Sequence, residues 1–260
     1  MSSKASAPSA RLERRRETGC GNLGVSRLRS KRTAWGALLF SVVLLAGCER
    51  ASQQTSFPKP NRPVSPIVSP RYSNEDARDS VGEAETVMKL ADLREGMAVA
   101  DIGAGEGYYT VRLAPLVGRR GRVLAQDIVP ETRDALAQRV QRENLENVAV
   151  KLGKPDNPHL PDASFDRILL IHMYHEIEMP SEFLWHTRAD LKPGGRVVVV
   201  DADRPTDRHG TPPKLLVCEF GAIGYELTRF ERLGDSESYF AQFEANGPRP
   251  EPAQIRTCPA

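Results

Sequence analysis

The chain has 260 residues, 40% hydrophobic and 27% charged, which is room for one sizeable domain and excludes a wholly disordered or fibrous protein. No stretch approaches the roughly 20 apolar residues of a spanning helix, so a polytopic membrane protein is excluded too. The net charge of +2 is unevenly spread: residues 1–47 hold nine Lys/Arg against two Glu, leaving the remainder at −5, and a mildly acidic body lacks the basic face that nucleic acid demands.

In chain order, the first feature is an export pattern. Arg27, Arg29, Lys31 and Arg32 precede an apolar run from Ala34 to Leu45, then Ala46, Gly47 and Cys48. A basic region, a short apolar run and small residues at a cut site are the parts of a secretory signal. Leu45-Ala46-Gly47-Cys48 resembles the lipobox of bacterial lipoproteins. That resemblance implies cleavage before Cys48, lipid on its sulfur, and a chain anchored in the bacterial cell envelope. Glu49 then implies the outer membrane, facing the periplasm. A diacyl anchor meets the two-chain requirement for stable attachment. Residues 1–48 are thus expected as signal and 49–79 as a tether, since 49–73 hold five prolines among Ser, Gln and Asn.

The body alternates helices and strands. Ser80-Val81-Gly82-Glu83 has capping-box spacing and predicts a helix ending near Leu93. A short buried strand follows over 97–102, then a glycine-rich turn and a helix over 109–117. Strands are expected at 122–127, 148–152, 167–172 and 196–201, with helices over 131–143 and 181–191 between them. Five strands with helical crossovers predict an α/β, doubly wound, mostly parallel sheet. After a helix over 214–222, runs at 225–233 and 239–244 read as an antiparallel hairpin. The expected domain is 80–245, with a poorly ordered tail over 246–260. Cys218 and Cys258 can form a disulfide in an oxidising compartment, but the apolar helical setting of Cys218 favours a buried thiol. With no CxxC or Cys/His cluster in the sequence, no metal is expected.

Chemistry concentrates after the first strand. Asp101-Ile102-Gly103-Ala104-Gly105-Glu106-Gly107 sets three glycines at alternate positions, where the backbone can turn tightly and approach a ligand. Asp127 ends the next strand, where an acid can accept hydrogen bonds from vicinal ribose hydroxyls. A nicotinamide fingerprint needs glycine at 108, where Tyr108 stands, and the acids Asp101 and Glu106 repel phosphate but suit an ammonium group. The loop therefore favours a ligand with ribose and amine and no phosphate.

These residues resemble the first motif of class I S-adenosylmethionine-dependent methyltransferases. Arg122–Asp127 is similar to that family's second-strand motif, Leu160–Asp166 to its fourth-strand approach, and Leu191-Lys192-Pro193-Gly194-Gly195-Arg196 to its fifth-strand turn. The resemblance implies a seven-stranded sheet and S-adenosylmethionine as cofactor. Gly103, Gly105 and Gly107 would flank its methionine part, Asp101 hold its amine, Asp127 its ribose, and Ile128 lie against adenine. Asp156, in Gly153-Lys154-Pro155-Asp156, stands two residues late for the usual adenine contact, and a plain loop acid fits it equally. Past the fourth strand, His175 is the candidate catalytic base with Glu176 beside it, and Tyr174 can line the pocket. Trp185 and His186 read as packing, while Arg204, Arg208 and His209 can meet an anionic substrate or simply be solvated. The acceptor is expected to be a small molecule or an envelope component. Two other readings stay open: an exported binding module that keeps the fold without catalysis, and, opposed by Tyr108, a nicotinamide oxidoreductase.

Overall fold

The computed structural model describes residues 56–67, 75–234 and 237–259. The signal and Cys48 lie outside them. Among the described residues no helix is long and apolar enough to cross a membrane.

Seven strands form one sheet: β1 (Ala98–Ile102), β2 (Arg122–Asp127), β3 (Val148–Leu152), β4 (Phe165–Ile171), β5 (Leu191–Ala202), β6 (Tyr225–Arg232) and β7 (Ser238–Ala245). Their order is β3-β2-β1-β4-β5-β7-β6, with the first five parallel and β7 antiparallel to both neighbours. This is the expected doubly wound sheet with its C-terminal hairpin.

The period-2 alternation of the central strands assigns each side chain to a face. Ile168, Leu170, Val197 and Val199 turn to one side, where α5 (Pro180–Asp190) and α6 (Pro213–Ala222) supply Phe183, Leu184, Leu216 and Phe220. Leu169, Ile171, Val198 and Val200 turn to the other, against Val87 of α2 (Glu83–Leu90) and Leu113 and Val117 of α3 (Tyr108–Val117). The strand residues named here are buried throughout, as a parallel sheet covered on both faces requires. A fifth helix, α4 (Pro130–Arg142), packs Leu136 and Val140 near β2.

Two expectations about the flanks are corrected. Residues 56–67, expected as tether, are laid on the body. Phe57 meets Trp185 edge-on at 5.6 Å, Arg62 is buried on Glu219, and Ser65 donates to the Thr206 carbonyl. The tail over 246–259 is fastened rather than loose, because Cys218 and Cys258 form a disulfide where a free thiol was favoured. Ile255 is buried, Trp185 donates to the Pro250 carbonyl at 2.9 Å, and Arg188 donates to the carbonyls of Asn246 and Gly247. The helix expected from Ser80 is two helices, α1 (Glu75–Ser80) and α2. Gly82, at φ 63°, opens α2 with no side-chain cap, and the Ser80 hydroxyl instead donates back to the Ala77 carbonyl.

Candidate active site

The chain winds outward from β1 through β2 to β3, then returns to place β4 on the other side of β1. At this switch point the carboxyl ends of β1 and β4 part and leave a crevice, which is where open parallel sheets take ligands. The cavity there is walled by Gly103 and Gly105 after β1, Gln126, Asp127 and Ile128 at the end of β2, and His172, Met173 and Glu176 after β4.

The three glycines of the loop are required for three different reasons. Gly103 (φ 66°) faces Met173, whose Cγ would stand 3.0 Å from an added Cβ. Gly105 (φ 56°) would carry a Cβ into open space, so its bare backbone forms part of the floor. Gly107 (φ 91°) is off the cavity wall: a Cβ there would meet Leu136 Cδ1 at 2.4 Å, so this glycine serves the packing of the loop on α4. Of the three glycines expected to flank a ligand, the structure thus brings Gly103 and Gly105 to the cavity and not Gly107.

Two carboxylates frame the loop. Asp101 lies beneath it, 2% exposed, and accepts a 2.6 Å hydrogen bond from the Thr110 hydroxyl. Burial pushes its carboxyl up to about 6 against the opposing pull of Thr110 and the Arg78 charge. Asp127 accepts from the backbone N–H of Gly105 (3.0 Å) and of Val129 (2.9 Å), and burial raises it in spite of these bonds. Ile128 follows on the same wall. Asp156 does not reach the cavity. It is exposed, and its charge acts on Glu182 and His186 of α5. Beside the β2 end stands a residue that pattern reading passed over. Gln126 is 1% exposed, its Oε1 lacks a hydrogen-bond partner, and it fits only because Gly153 has no Cβ, which would fall 1.2 Å from Gln126 Nε2.

A second group missing from the sequence reading is the clamp formed by α1 and α2. No residue of α1 is buried, so charge holds it in place. Glu75 pairs with Arg139 at 2.6 Å, Asp79 with Arg112 at 2.6 Å, and Tyr108 donates to Asp79 at 2.8 Å. Arg78 lies 3.9 Å over the Tyr108 ring and donates to Glu83 at 2.6 Å. Glu83 also accepts from Tyr109 at 3.0 Å and meets His172 at 3.3 Å. Burial alone would raise Glu83, but His172 and Arg78 outweigh it and hold its carboxyl at about 2. His172, at φ 55°, is therefore the histidine on the cavity wall, oriented from α2.

His175 is elsewhere. It is 4% exposed and off the wall, with Nδ1 at 3.0 Å from Asp201 Oδ1 and Nε2 at 3.9 Å from Glu176 Oε1. A base must reach the proton it takes, and the structure does not bring His175 to the cavity wall: the single 3-10 turn over Tyr174–Glu176 turns its ring toward β5. Tyr174 is fully buried and donates to Glu219 at 2.8 Å, so it too is structural rather than pocket-lining. Of the loop after β5, Arg204 is paired with Glu237.

Comparison with known proteins bears on the fold and the cofactor. The pattern of the protein-L-isoaspartate(D-aspartate) O-methyltransferase (PCMT) family matches residues 80–206. A protein-L-isoaspartate O-methyltransferase of Methanothrix thermoacetophila is 34% identical over 110 residues, covering 42% of this chain and 50% of that protein. An arsenite methyltransferase of Halobacterium salinarum is 29% identical over 173 residues, covering 60% and 44%. Among solved structures, an S-adenosylmethionine-dependent methyltransferase from Aquifex aeolicus superposes with a TM-score of 0.60 at 26% identity, covering 64% of this chain and 92% of that one. The chain spans about half the length of the curated relatives it matches. It has the class I S-adenosylmethionine-dependent methyltransferase fold, and S-adenosylmethionine is the cofactor that goes with it.

Proposed function

We propose that this chain is an S-adenosylmethionine-dependent methyltransferase of the bacterial cell envelope, acting on an acceptor that is uncharged or cationic. The observation that carries the reading is the crevice at the switch point, with a bare glycine floor beside the Asp127 carboxylate and the buried Asp101 carboxyl beneath the same loop. A carboxylate offers about four lone-pair sites. Asp127 accepts from the backbone N–H groups of Gly105 and Val129, with Ile128 contributing a further backbone bond, and its remaining capacity suits ribose hydroxyls. The unpartnered Oε1 of Gln126 on the same wall suits the adenine amine, the part once expected of Asp156. When bound, the cofactor supplies an electrophilic methyl group on a sulfonium. The chain's own residues bind it, orient it and hold the acceptor in line.

The acceptor side of the wall supports the charge preference. Met173, Ile177 and Phe183 are apolar, and Glu176 and Glu178 are acidic, against one lysine on the wall, Lys154, which follows β3. A carboxylate acceptor would approach two like charges there, which disfavours it. The isoaspartyl carboxyl named for the curated relatives is the second reading, favoured by the match over residues 80–206. Since an arsenite methyltransferase matches the chain as well, the similarity follows the cofactor half more than the acceptor. Lipid anchoring at Cys48 and export belong to the same proposal. The basic-apolar-small pattern before Cys48 supports them, as does the Cys218–Cys258 disulfide, a bond typical of oxidising compartments.

Calorimetry tests the cofactor. The chain should bind S-adenosylmethionine or its demethylated product and not NAD, and Asp127→Ala should weaken binding by about 1.5–3 kcal/mol. Equal affinity in the variant removes Asp127 from the site. Labelled methyl groups then test the acceptor. Transfer to an isoaspartyl peptide overturns the charge preference, whereas cofactor binding with no transfer to any envelope fraction favours a binding module. Cys48→Ser should abolish lipid labelling.

A further inference from the structure

Behind Glu176 the structure gathers three groups that the sequence keeps far apart. His175 and Glu176 come from the turn after β4 and His209 from the loop after β5, and one ligand atom of each lies within 4.8 Å of the others. We propose that His175, Glu176 and His209 form a binding site for a divalent transition-metal ion of the zinc class, beside the methyl-transfer cavity.

The donor chemistry selects the ion. Two imidazoles and one carboxylate suit Zn²⁺ and its first-row neighbours, while Mg²⁺ and Ca²⁺ prefer oxygen alone. The surroundings are those of a ligand set held in place. His175 Nδ1 faces the Asp201 carboxylate at 3.0 and 3.2 Å, which directs Nε2 toward the cluster. Asp201 is itself fully buried and fixed by the Ala202 N–H and the Thr211 hydroxyl, each at 2.8 Å. A carboxylate that orients a ligating histidine through its second nitrogen is the usual outer partner of such sites.

His209 is presented with similar care. It takes a left-handed backbone, φ 54°, a conformation that non-glycine residues adopt at a cost. Its N–H donates to Ser65 Oγ at 3.1 Å, and its ring stands edge-on to His175 with centroids 5.5 Å apart at 84°. Glu176 Oε1 and His175 Nε2, 3.9 Å apart, are somewhat wider than two ligands on one ion at about 2.0–2.2 Å each. Glu176 is half-buried and His209 exposed, so both side chains can close around an ion that arrives from solvent. An ion here would tie the turn after β4, which borders the cavity through Glu176, to the loop after β5.

The test needs no methyl transfer, so it stands or falls apart from the reading above. The full chain is stripped with a chelator and titrated with Zn²⁺ against a chromophoric competitor, then with Co²⁺ by visible absorption. One ion should bind with a dissociation constant near or below about 1 μM. His209→Ala, at an exposed position that leaves the fold intact by circular dichroism, should weaken it at least tenfold. Asp201→Asn should weaken it about 10- to 100-fold through His175. No saturable binding by the wild type overturns the proposal. Wild-type affinity in His209→Ala does so equally, since ions held elsewhere, including at Cys20 and Cys48, would be unaffected by that change.

Discussion

The two lips of the crevice are built in opposite ways. The lip after β1 and β2 comes from one stretch, Asp101 to Val129, and the backbone does most of the work: glycines with positive φ, and N–H groups donated to Asp127. The lip after β4 is assembled from segments more than a hundred residues apart. Arg62 reaches Glu219 and the Ile177 carbonyl, Ser65 reaches the backbone of His175, and Tyr174 shares Glu219. A lip made from one stretch can be read as a motif. A lip made from distant side chains depends on the fold being complete, and it should fail when a remote part is removed.

The largest effect should come from Arg62, because it breaks the second lip without touching the first. The side chains of Arg62 and Glu219 are 1% and 6% exposed, so truncating one leaves a buried charge without its partner. Arg62→Ala should cost about 3–5 kcal/mol, read as a lower midpoint in urea with little change in slope. An unchanged midpoint would mean that residues 56–67 are not docked in solution. Reducing the Cys218–Cys258 bond should have the next largest effect, about 2–4 kcal/mol. The loss should be absent in Cys258→Ser, which has no bond to reduce; equal sensitivity to reductant in that variant would break the assignment.

The same contrast explains what the sequence made legible. Strand and helix periodicity placed the sheet and its hairpin to within a residue or two, except that β5 begins at Leu191, before the Pro193-Gly194-Gly195 turn, through a pairing with Phe165. That Gly103, Gly105 and Asp127 meet at one cavity was legible because the loop's geometry is local. His172 and His175 were not separable, since both follow β4 and only the left-handed turn at His172 decides which faces the cavity. Gln126 was invisible because its importance rests on the missing Cβ of Gly153, 27 residues on. Arg62, in a proline-rich run, gave no periodic signal at all.

Within the first lip, Asp101 should set a trade between stability and binding. Its carboxyl is raised to about 6 from 3.8, so the folded chain holds that proton more tightly than the unfolded one. Its contribution is therefore favourable below about pH 4 and is lost as pH rises toward 6. Asp101→Asn should accordingly stabilise the chain at pH 8, by up to about 3 kcal/mol, while weakening the cofactor. In the wild type, an ammonium ligand needs the ionised form, so affinity should drop about tenfold per unit below pH 6. A flat affinity from pH 5 to about 7.5 would show that Asp101 does not face the amine.

The smallest effects separate two glycines that the motif treats alike. An alanine at 107 drives its Cβ to 2.4 Å from Leu136 Cδ1, against a side chain with no exposure, and keeps a φ of 91° that alanine disfavours. Gly107→Ala should lose about 1–3 kcal/mol of stability through overpacking, with cofactor affinity changing little while the chain stays folded. At Gly105 the added methyl meets nothing within 4 Å and only the backbone is strained, at about 1 kcal/mol. Yet that empty space is the cavity floor, so Gly105→Ala should lower cofactor affinity more than it lowers the unfolding midpoint. Paired urea melts and calorimetric titrations read both quantities on both variants. If the two alanines lose affinity and stability in the same proportion, the loop acts as one rigid unit, and the division of labour between its glycines is wrong.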